Sequence, residues 1–396
     1  MATPDLLRDR TQGTRVTNTE LFFDLVYVVA VTQLSGFLRE HPTWMGALGA
    51  LILLGMIWNA WVYTTWVTNW LDPDKTVTRL MLLAVMGGSL VMAAGVHDAY
   101  GDKGLWVGIA YAAMQIGRSV FTVWAARSNP ALRRNYQRIL CWCLVSGAVA
   151  VVGGALDGPA RLALFALAVI IDIVGGIVQF WTPGLGRTPA ADWDIDGPHF
   201  AERCQAFVLI ALGESVVGIS SPLAEAHKVD TAGVTGAAGA FITVAALFLL
   251  YFDRWAHAGV SAVQRATEPG KLAARGYHLV HPVIVAGIIL VAAGNEEVLS
   301  AVLGGSEEHA PNSWLTAWLC AGGAATFVLG HAIYIRLISG RHSTPHVVAA
   351  VALLTAVGVA GVLSVGALAI GITAGVVVVA LVAVEAGQAR RVPLPR

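Results

Sequence analysis

Residues 20–34 read ELFFDLVYVVAVTQL: two carboxylates head an apolar run that, continued to residue 38, is long enough to cross a bilayer. Glu20 and Asp24 are four positions apart, so they leave one face of a helix, and Tyr27 and Val31 extend that stripe. A charged side chain at the centre of a membrane helix costs about 3 kcal/mol even on lenient insertion scales. Such a residue belongs beside a partner, in a wet cavity or on a translocation path. The same conflict recurs at Arg118, Asp172, Glu202, Arg203 and Glu214, each inside or at the lip of an apolar run.

Composition agrees with a membrane reading. The 396 residues are 56% hydrophobic and 13% charged, with a mean hydropathy of +0.68; a soluble domain carries roughly a quarter charged residues. A hydrocarbon core of about 30 Å needs about 20 apolar helical residues per crossing. Twelve runs qualify: 20–38, 45–67, 77–97, 104–126, 136–156, 160–181, 200–221, 231–253, 277–296, 312–335, 345–364 and 367–387. The last two are one nearly unbroken apolar stretch, divided at Ser364 to Gly366 because a single helix of that length overshoots any membrane.

Lys and Arg gather in short cytoplasmic loops. With the N-terminus inside, nineteen of the 25 basic residues fall on the cytoplasmic side and only Arg39, Lys103, Arg161 and Lys228 outside. This predicts an even number of spans with both termini cytoplasmic. Residues 1–19 are polar and lack the apolar core of a cleavable signal, so the first helix is expected to remain as an anchor. The basic residues form a membrane-side collar with no separate basic domain, which argues against a nucleic-acid partner. Cys141, Cys143, Cys204 and Cys320 have no metal or disulfide spacing and read as packing residues. No cofactor or metal site is expected.

Aligning Glu20 with Glu202 sets ELFFDLVYVVAVTQL against ERCQAFVLIALGESV. The match continues with Gly95 opposite Gly294, Gly117 opposite Gly330 and Arg118 opposite His331. An all-α polytopic fold follows, with two parallel six-helix repeats: a cytoplasmic segment 1–19, a first repeat 20–182, a cytoplasmic linker 183–199, a second repeat 200–387 and a cytoplasmic tail 388–396. In parallel-repeat transporters the substrate route lies between such halves.

The candidate pathway or coupling residues are Glu20, Asp24, Arg118, Asp172, Glu202, Arg203, Glu214 and His331. Two close carboxylates in a poorly hydrated place do not both ionise cheaply, which suits reversible binding of a proton or cation at Glu20 and Asp24. Glu20 also reads as the first-turn acid of a helix capped by Thr17 or Asn18. Arg118 falls at a depth comparable to Asp24 and is its expected counter-ion, either as a structural bridge or as an anion contact. Glu214 lies near the bilayer midplane, with Ser215 following and Gly213 before it, a glycine that would permit a close backbone approach. Asp172 is also near mid-depth, with Gln179 seven residues later on the same helical face. His331 is either a proton relay or a satisfied hydrogen-bonding residue.

The segment YFDRW supplies Tyr251, Asp253 and Arg254, read as an interfacial aromatic belt or as gate contacts. Trp58, Trp61, Tyr63, Trp66 and Trp70 crowd the second helix as interface anchors and core, or as an aromatic cage for a cation. His278 and His281 lack a third ligand with metal-site spacing. No serine elbow, phosphate-binding glycine loop or His-Glu zinc motif is present, and the reading is non-enzymatic.

The segments TELFFDLVYVVAVTQLS (19–35) and HFAERCQAFVLIALGES (199–215), with YFDRW and Gly294, resemble the bacterial low temperature requirement protein A family over essentially the whole chain. Cys204, Gln205 and Ala206 stand where that family usually has Phe-Gly-Leu. The resemblance implies a polytopic inner-membrane protein; the family name reflects a growth phenotype and supplies no substrate. The Phe-Phe-Asp opening also resembles, briefly, a potassium-channel family whose pore helices begin Phe-Ser-Asp, although Ala206 replaces the acid in the second half.

The expected function is a proton-coupled transporter or ion permeation pathway in the bacterial plasma membrane, taking a small solute or ion, protons included. It would contact the lipid bilayer and could form oligomers. The alternatives are an ion channel, a membrane-embedded enzyme acting on lipid, or a stress-adaptation protein without transport.

Overall fold

The first helix, α1 (Asn18–Glu40), resolves the conflict in its sequence by turning its charges inward. Glu20, Phe23, Asp24, Tyr27 and Val31 are buried, whereas Leu21, Phe22, Leu25 and Val29 on the opposite face are exposed. An outward apolar face and an inward polar one is the arrangement a lipid solvent favours. The computed structural model describes residues 6–9, 15–188, 195–304 and 313–391. The segments 1–19, 183–199 and 388–396 therefore lie partly outside the described residues, as do Arg10 and Arg396.

After α1 come α2 (Trp44–Trp70), α3 (Thr76–Gly95), α4 (Gly104–Ala125), α5 (Pro130–Ala155), α6 (Gly158–Ile177), α7 (Gly197–Glu225) and α8 (Thr231–Phe252). They are followed by α9 (Trp255–Arg265), α10 (Pro269–Ala273), α11 (His281–Leu303), α12 (Ser313–Ala317), α13 (Gly323–Ser339), α14 (Thr344–Leu363) and α15 (Ala367–Arg391). Single π turns link α10 to α11 and α12 to α13. Among the described residues there is no strand, only two isolated bridges. Side-chain caps start several helices: Thr43 Oγ1 accepts from Gly46 N at 3.0 Å, Asn129 Oδ1 from Leu132 N at 3.1 Å and Asp230 Oδ1 from Gly233 N at 2.8 Å.

Among the described residues eleven helices, counting segments joined by short breaks as one, are long and apolar enough to cross a membrane. The chain is a multi-pass, all-helical membrane protein. α4 is 22 residues long but carries Gln115 and Arg118 in its middle, and it falls outside the eleven. The break inside the last apolar stretch occurs where expected, at Ser364, which takes a left-handed φ of 49° between α14 and α15. α6 is shorter than its apolar run: Gln179 and Phe180 leave the helix with φ of 58° and 49°. Gln179 therefore does not share a helical face with Asp172, contrary to the sequence reading. α9 was not expected; its buried Trp255, Ala256, Gly259 and Val263 recur at helical spacing in a segment that charge alone marked as loop.

Two compact units divide the chain. The first comprises Met1–Phe37, Thr43–Ala206 and Val263–Ala274; the second comprises Leu38–Pro42, Phe207–Ala262 and Arg275–Arg396. Within the first, α3 packs on α4, α4 on α5, α5 on α6, and α6 returns to α2. Within the second, α11 packs on α13, α13 on α14, α14 on α15, and α15 returns to α8.

Candidate functional site

The start of α1 carries a reciprocal cap. Thr17 Oγ1 accepts from Glu20 N at 3.3 Å, and Glu20 Oε2 accepts from Thr17 N at 2.9 Å and from Thr17 Oγ1 at 3.0 Å. Glu20 is more than a cap, because three further groups reach it. Arg8 Nη2 lies 3.1 Å from both carboxylate oxygens, His199 Nε2 lies 2.9 Å from Oε1 and Arg203 Nη1 lies 3.1 Å from Oε1. Arg8 is held there because its segment pairs with the end of α2: Arg8 N donates to Trp70 O at 2.9 Å and Asp72 N to Leu6 O at 2.9 Å.

One turn on, Asp24 receives a two-pronged bond from Arg203, Nε to Oδ2 at 2.8 Å and Nη2 to Oδ1 at 2.6 Å. Trp61 Nε1 donates to the same Oδ1 at 2.7 Å. Arg203 Nη1 also donates to Thr68 Oγ1 at 3.1 Å. The sequence reading paired Asp24 with Arg118; the guanidinium that meets Asp24 is Arg203. Arg203 lies between the two carboxylates, and with Arg8 it brings the four formal charges to zero. Glu202, by contrast, is exposed, although the repeat alignment set it opposite Glu20. The residue of that pair that turns inward is its neighbour.

Asn69 fixes the tautomer of His199. Asn69 Oδ1 accepts from Asp196 N at 2.9 Å and Asn69 Nδ2 donates to Asp196 O at 2.9 Å, so the second amide hydrogen points at His199 Nδ1, 3.3 Å away. Nδ1 is then the acceptor, and Nε2 carries the hydrogen that goes to Glu20. Trp61→Phe removes one donor to Asp24 while keeping most of the ring packing, and should cost about 1.5–3 kcal/mol, as for a hydrogen bond to a charged group. The thermal unfolding midpoint of the purified protein measures it; an unshifted midpoint would show that the indole N–H contributes nothing.

A second polar cluster in the same unit joins α2, α4 and α6. Asp172 is wholly buried; its Oδ2 accepts from the Tyr111 hydroxyl and from Gln115 Nε2 at 2.8 Å, while Oδ1 has no partner among the described residues. Tyr63 donates to the Asp172 backbone carbonyl at 2.9 Å. Gln115 Oε1 in turn accepts from Arg118 Nη2 at 2.6 Å, and Arg118 Nη1 reaches Ala60 O at 3.2 Å and Thr64 Oγ1 at 3.3 Å. Arg118 is thus a member of the Asp172 cluster. Thr64 and Thr68 are one turn apart on α2, so this helix carries contacts to both clusters.

In the second unit Glu214 is buried, and the adjacent Ser215 Oγ lacks a hydrogen-bond partner among the described residues. Glu296 forms an ion pair with Arg39 at 2.9 Å and has Glu214 and Glu225 in its electrostatic surroundings. Gly213 is exposed with open space around its Cβ position, so it serves no close approach there. Of the YFDRW residues, Tyr251 is buried and bonds His281 Nε2 at 2.7 Å, whereas Asp253 is exposed and Arg254 lies 5.2 Å over the Trp255 ring. His331 is wholly buried, 3.0 Å from His346.

Sequence reasoning missed Arg8, Thr68, Tyr111, Gln115 and His199, and it named Trp61 only as an anchor, core or cage residue, not as a donor to Asp24. One signal could have found part of this set: α2 is strongly apolar yet contains Asn59, Thr64, Thr65, Thr68 and Asn69, all buried.

Residues 15–383 match the bacterial low temperature requirement A protein family. An uncharacterized protein of Rhizobium meliloti (strain 1021) is 32% identical over 293 residues, which cover 74% of this chain and 71% of that protein. No solved structure matches the chain. With the match running from before the capped start of α1 to the last turns of α15, this chain belongs to the bacterial low temperature requirement A family.

Proposed function

We propose that the protein is a proton-coupled transporter or proton-conducting pathway of the bacterial plasma membrane, with twelve spans, two parallel six-helix repeats and both termini cytoplasmic. The observation that carries the reading is Asp172: a wholly buried carboxylate with one oxygen bonded twice and the other without a well-formed hydrogen bond among the described residues, the Ser146 hydroxyl being its near neighbour. Buried polar atoms in proteins are almost always partnered, and an intramembrane carboxylate with an under-satisfied oxygen is a site for reversible protonation or binding by default. A proton on Oδ1 makes the group neutral, and its loss returns the charge to a site already hydrogen-bonded through Gln115 to Arg118. Glu214 is a buried acid of the second unit, at a position that the repeat alignment does not match to Asp172.

The topology has separate support. α4 is long enough to span at 22 residues and packs against α3 and α5, which raises the count from eleven to an even number. One cycle of neighbours recurs in both units, each closing its last helix back on an earlier one, which supports a duplicated six-helix plan.

The test is pH-driven flux in proteoliposomes of the full chain with a lumenal pH dye. Asp172→Asn keeps the side-chain shape and should lower flux by about tenfold or more, the least that loss of a positioned acid–base group typically costs. Glu214→Gln should flatten the pH dependence while expression is retained. Wild-type flux in both variants would reject these roles.

A further inference from the structure

Tyr251, His281, Tyr277, Tyr334, His331 and His346 form a buried knot in the second unit, and every one of these side chains is inaccessible to solvent. Half of it is static. His281 Nδ1 lies 2.9 Å from the Gly276 carbonyl, which can only accept, so Nδ1 carries the hydrogen and Nε2 accepts from the Tyr251 hydroxyl at 2.7 Å. That pair has one arrangement.

The other half has two. His331 Nδ1 and His346 Nε2 are 3.0 Å apart, so one hydrogen lies between them and belongs to either ring. His346 Nδ1 faces the Ser343 hydroxyl at 2.7 Å, a group that donates or accepts, and Glu385 Oε1 at 3.6 Å. Glu385 is pinned by Trp255 Nε1, which donates to its Oε2 at 2.8 Å, and its side chain is 12% exposed. At the inner end His331 Nε2 has no partner among the described residues. A line of exchangeable groups therefore runs from a partly exposed carboxylate to a bare ring nitrogen in the interior.

We propose that Glu385, His346 and His331 form a proton relay through the second unit, separate from the Asp172 cluster; it rests on the reading of the protein as a proton pathway. Begin with both rings neutral and protonated at Nε2. Glu385 closes the gap from 3.6 Å, displaces the Ser343 contact and delivers a proton to His346 Nδ1; the His346 Nε2 proton passes to His331 Nδ1, and His331 releases its Nε2 proton to a water admitted beside that ring when the knot opens. Each ring breaks one N–H bond and forms one, and both end neutral in the other tautomer; transfer in the opposite direction restores them. The titratable groups facing His331 are Tyr251 from α8, His281 from α11, Tyr334 from its own helix and His346 from α14, with Glu385 of α15 behind His346. None of these supplies a fixed charge in direct contact with the His331 ring, so neither tautomer is locked.

The full chain with ¹⁵N-labelled histidine, reconstituted in lipid, tests the relay directly. His331 and His346 should each populate both neutral tautomers and exchange together, while His281 stays in one. Glu385→Gln retains an acceptor for Trp255 and should slow that exchange; it should also cut pH-driven proteoliposome flux by about tenfold or more. His346→Ala should lose flux and regain it with added imidazole, which a merely structural role would not permit. One fixed tautomer at both rings, or wild-type flux in both variants, overturns the relay and leaves the Asp172 reading standing. Absence of any wild-type flux overturns the reading of the whole protein as a pathway and the relay with it, whatever the rings do.

Discussion

Arg203→Met should leave little or no folded protein. The substitution removes two bonds to Asp24, one to Glu20 and one to Thr68, all within a cluster that excludes solvent. Methionine fills the space of the stem, so packing is nearly kept and charge is the variable. Asp24 then retains only the Trp61 donor, and the charge balance of the cluster shifts to minus one. Removing one partner of a buried ion pair costs about 3–5 kcal/mol, a large share of the roughly 5–15 kcal/mol that holds a typical domain folded. The readout is monodisperse yield after detergent extraction, with thermal unfolding of whatever survives. The double variant Asp24→Leu with Arg203→Met is the control. Removing both partners of a buried pair is often close to neutral, and Glu20 still has Arg8, His199 and Thr17 in that background. Recovery in the double variant shows that the uncompensated carboxylate was the cause; a single variant as stable as the wild type would show that the ionic cluster does not hold the first unit together.

Gly108→Val should be nearly as damaging for a steric reason. α4 and α5 make the most extensive helix contact of the first unit, and small residues let their backbones touch. A Cβ at Gly108 would run into the Ala150 carbonyl, and one at Gly154 would lie 2.5 Å from the Gly104 carbonyl. Backbone cannot give way as a side-chain tip can, so α4 must shift outward. Overpacking of this kind costs about 1–3 kcal/mol and sometimes more. The shift also moves Gln115 and Arg118, which sit two and three turns further along the same helix and hold Asp172. Flux should therefore fall further than stability does. Parallel measurement of the unfolding midpoint and of pH-driven flux checks this, with Gly117→Val, where the Cβ position is open, as the helix-matched control. Equal behaviour of the two variants would refute the close-contact argument.

Much of the fold was legible because membrane helices announce themselves by length and apolar content. The break between Ser364 and Gly366 follows from length, and the shared face of Glu20, Asp24 and Tyr27 from spacing; spacing leaves the cap between Thr17 and Asn18, and the structure uses Thr17. α4 shows the limit of that signal: the Gln115 and Arg118 that give it chemical interest also make it less apolar than its neighbours. α6 shows another, since hydropathy does not register the two left-handed residues that end it early.

What the chain determines by itself is which residues are in conflict with their surroundings: an ionisable group in an apolar run is visible wherever it occurs. Which groups resolve the conflict is a matter of helix packing. Depth pointed to Arg118 as the partner of Asp24, but the rotation of α7 about its own axis brings in Arg203 and turns Glu202 to the surface, while Arg118 bonds Gln115 one turn back on its own helix. Periodicity along one helix carries no information about the rotation of another, so the pairings of Asp24, Asp172 and His331 could be decided only in three dimensions.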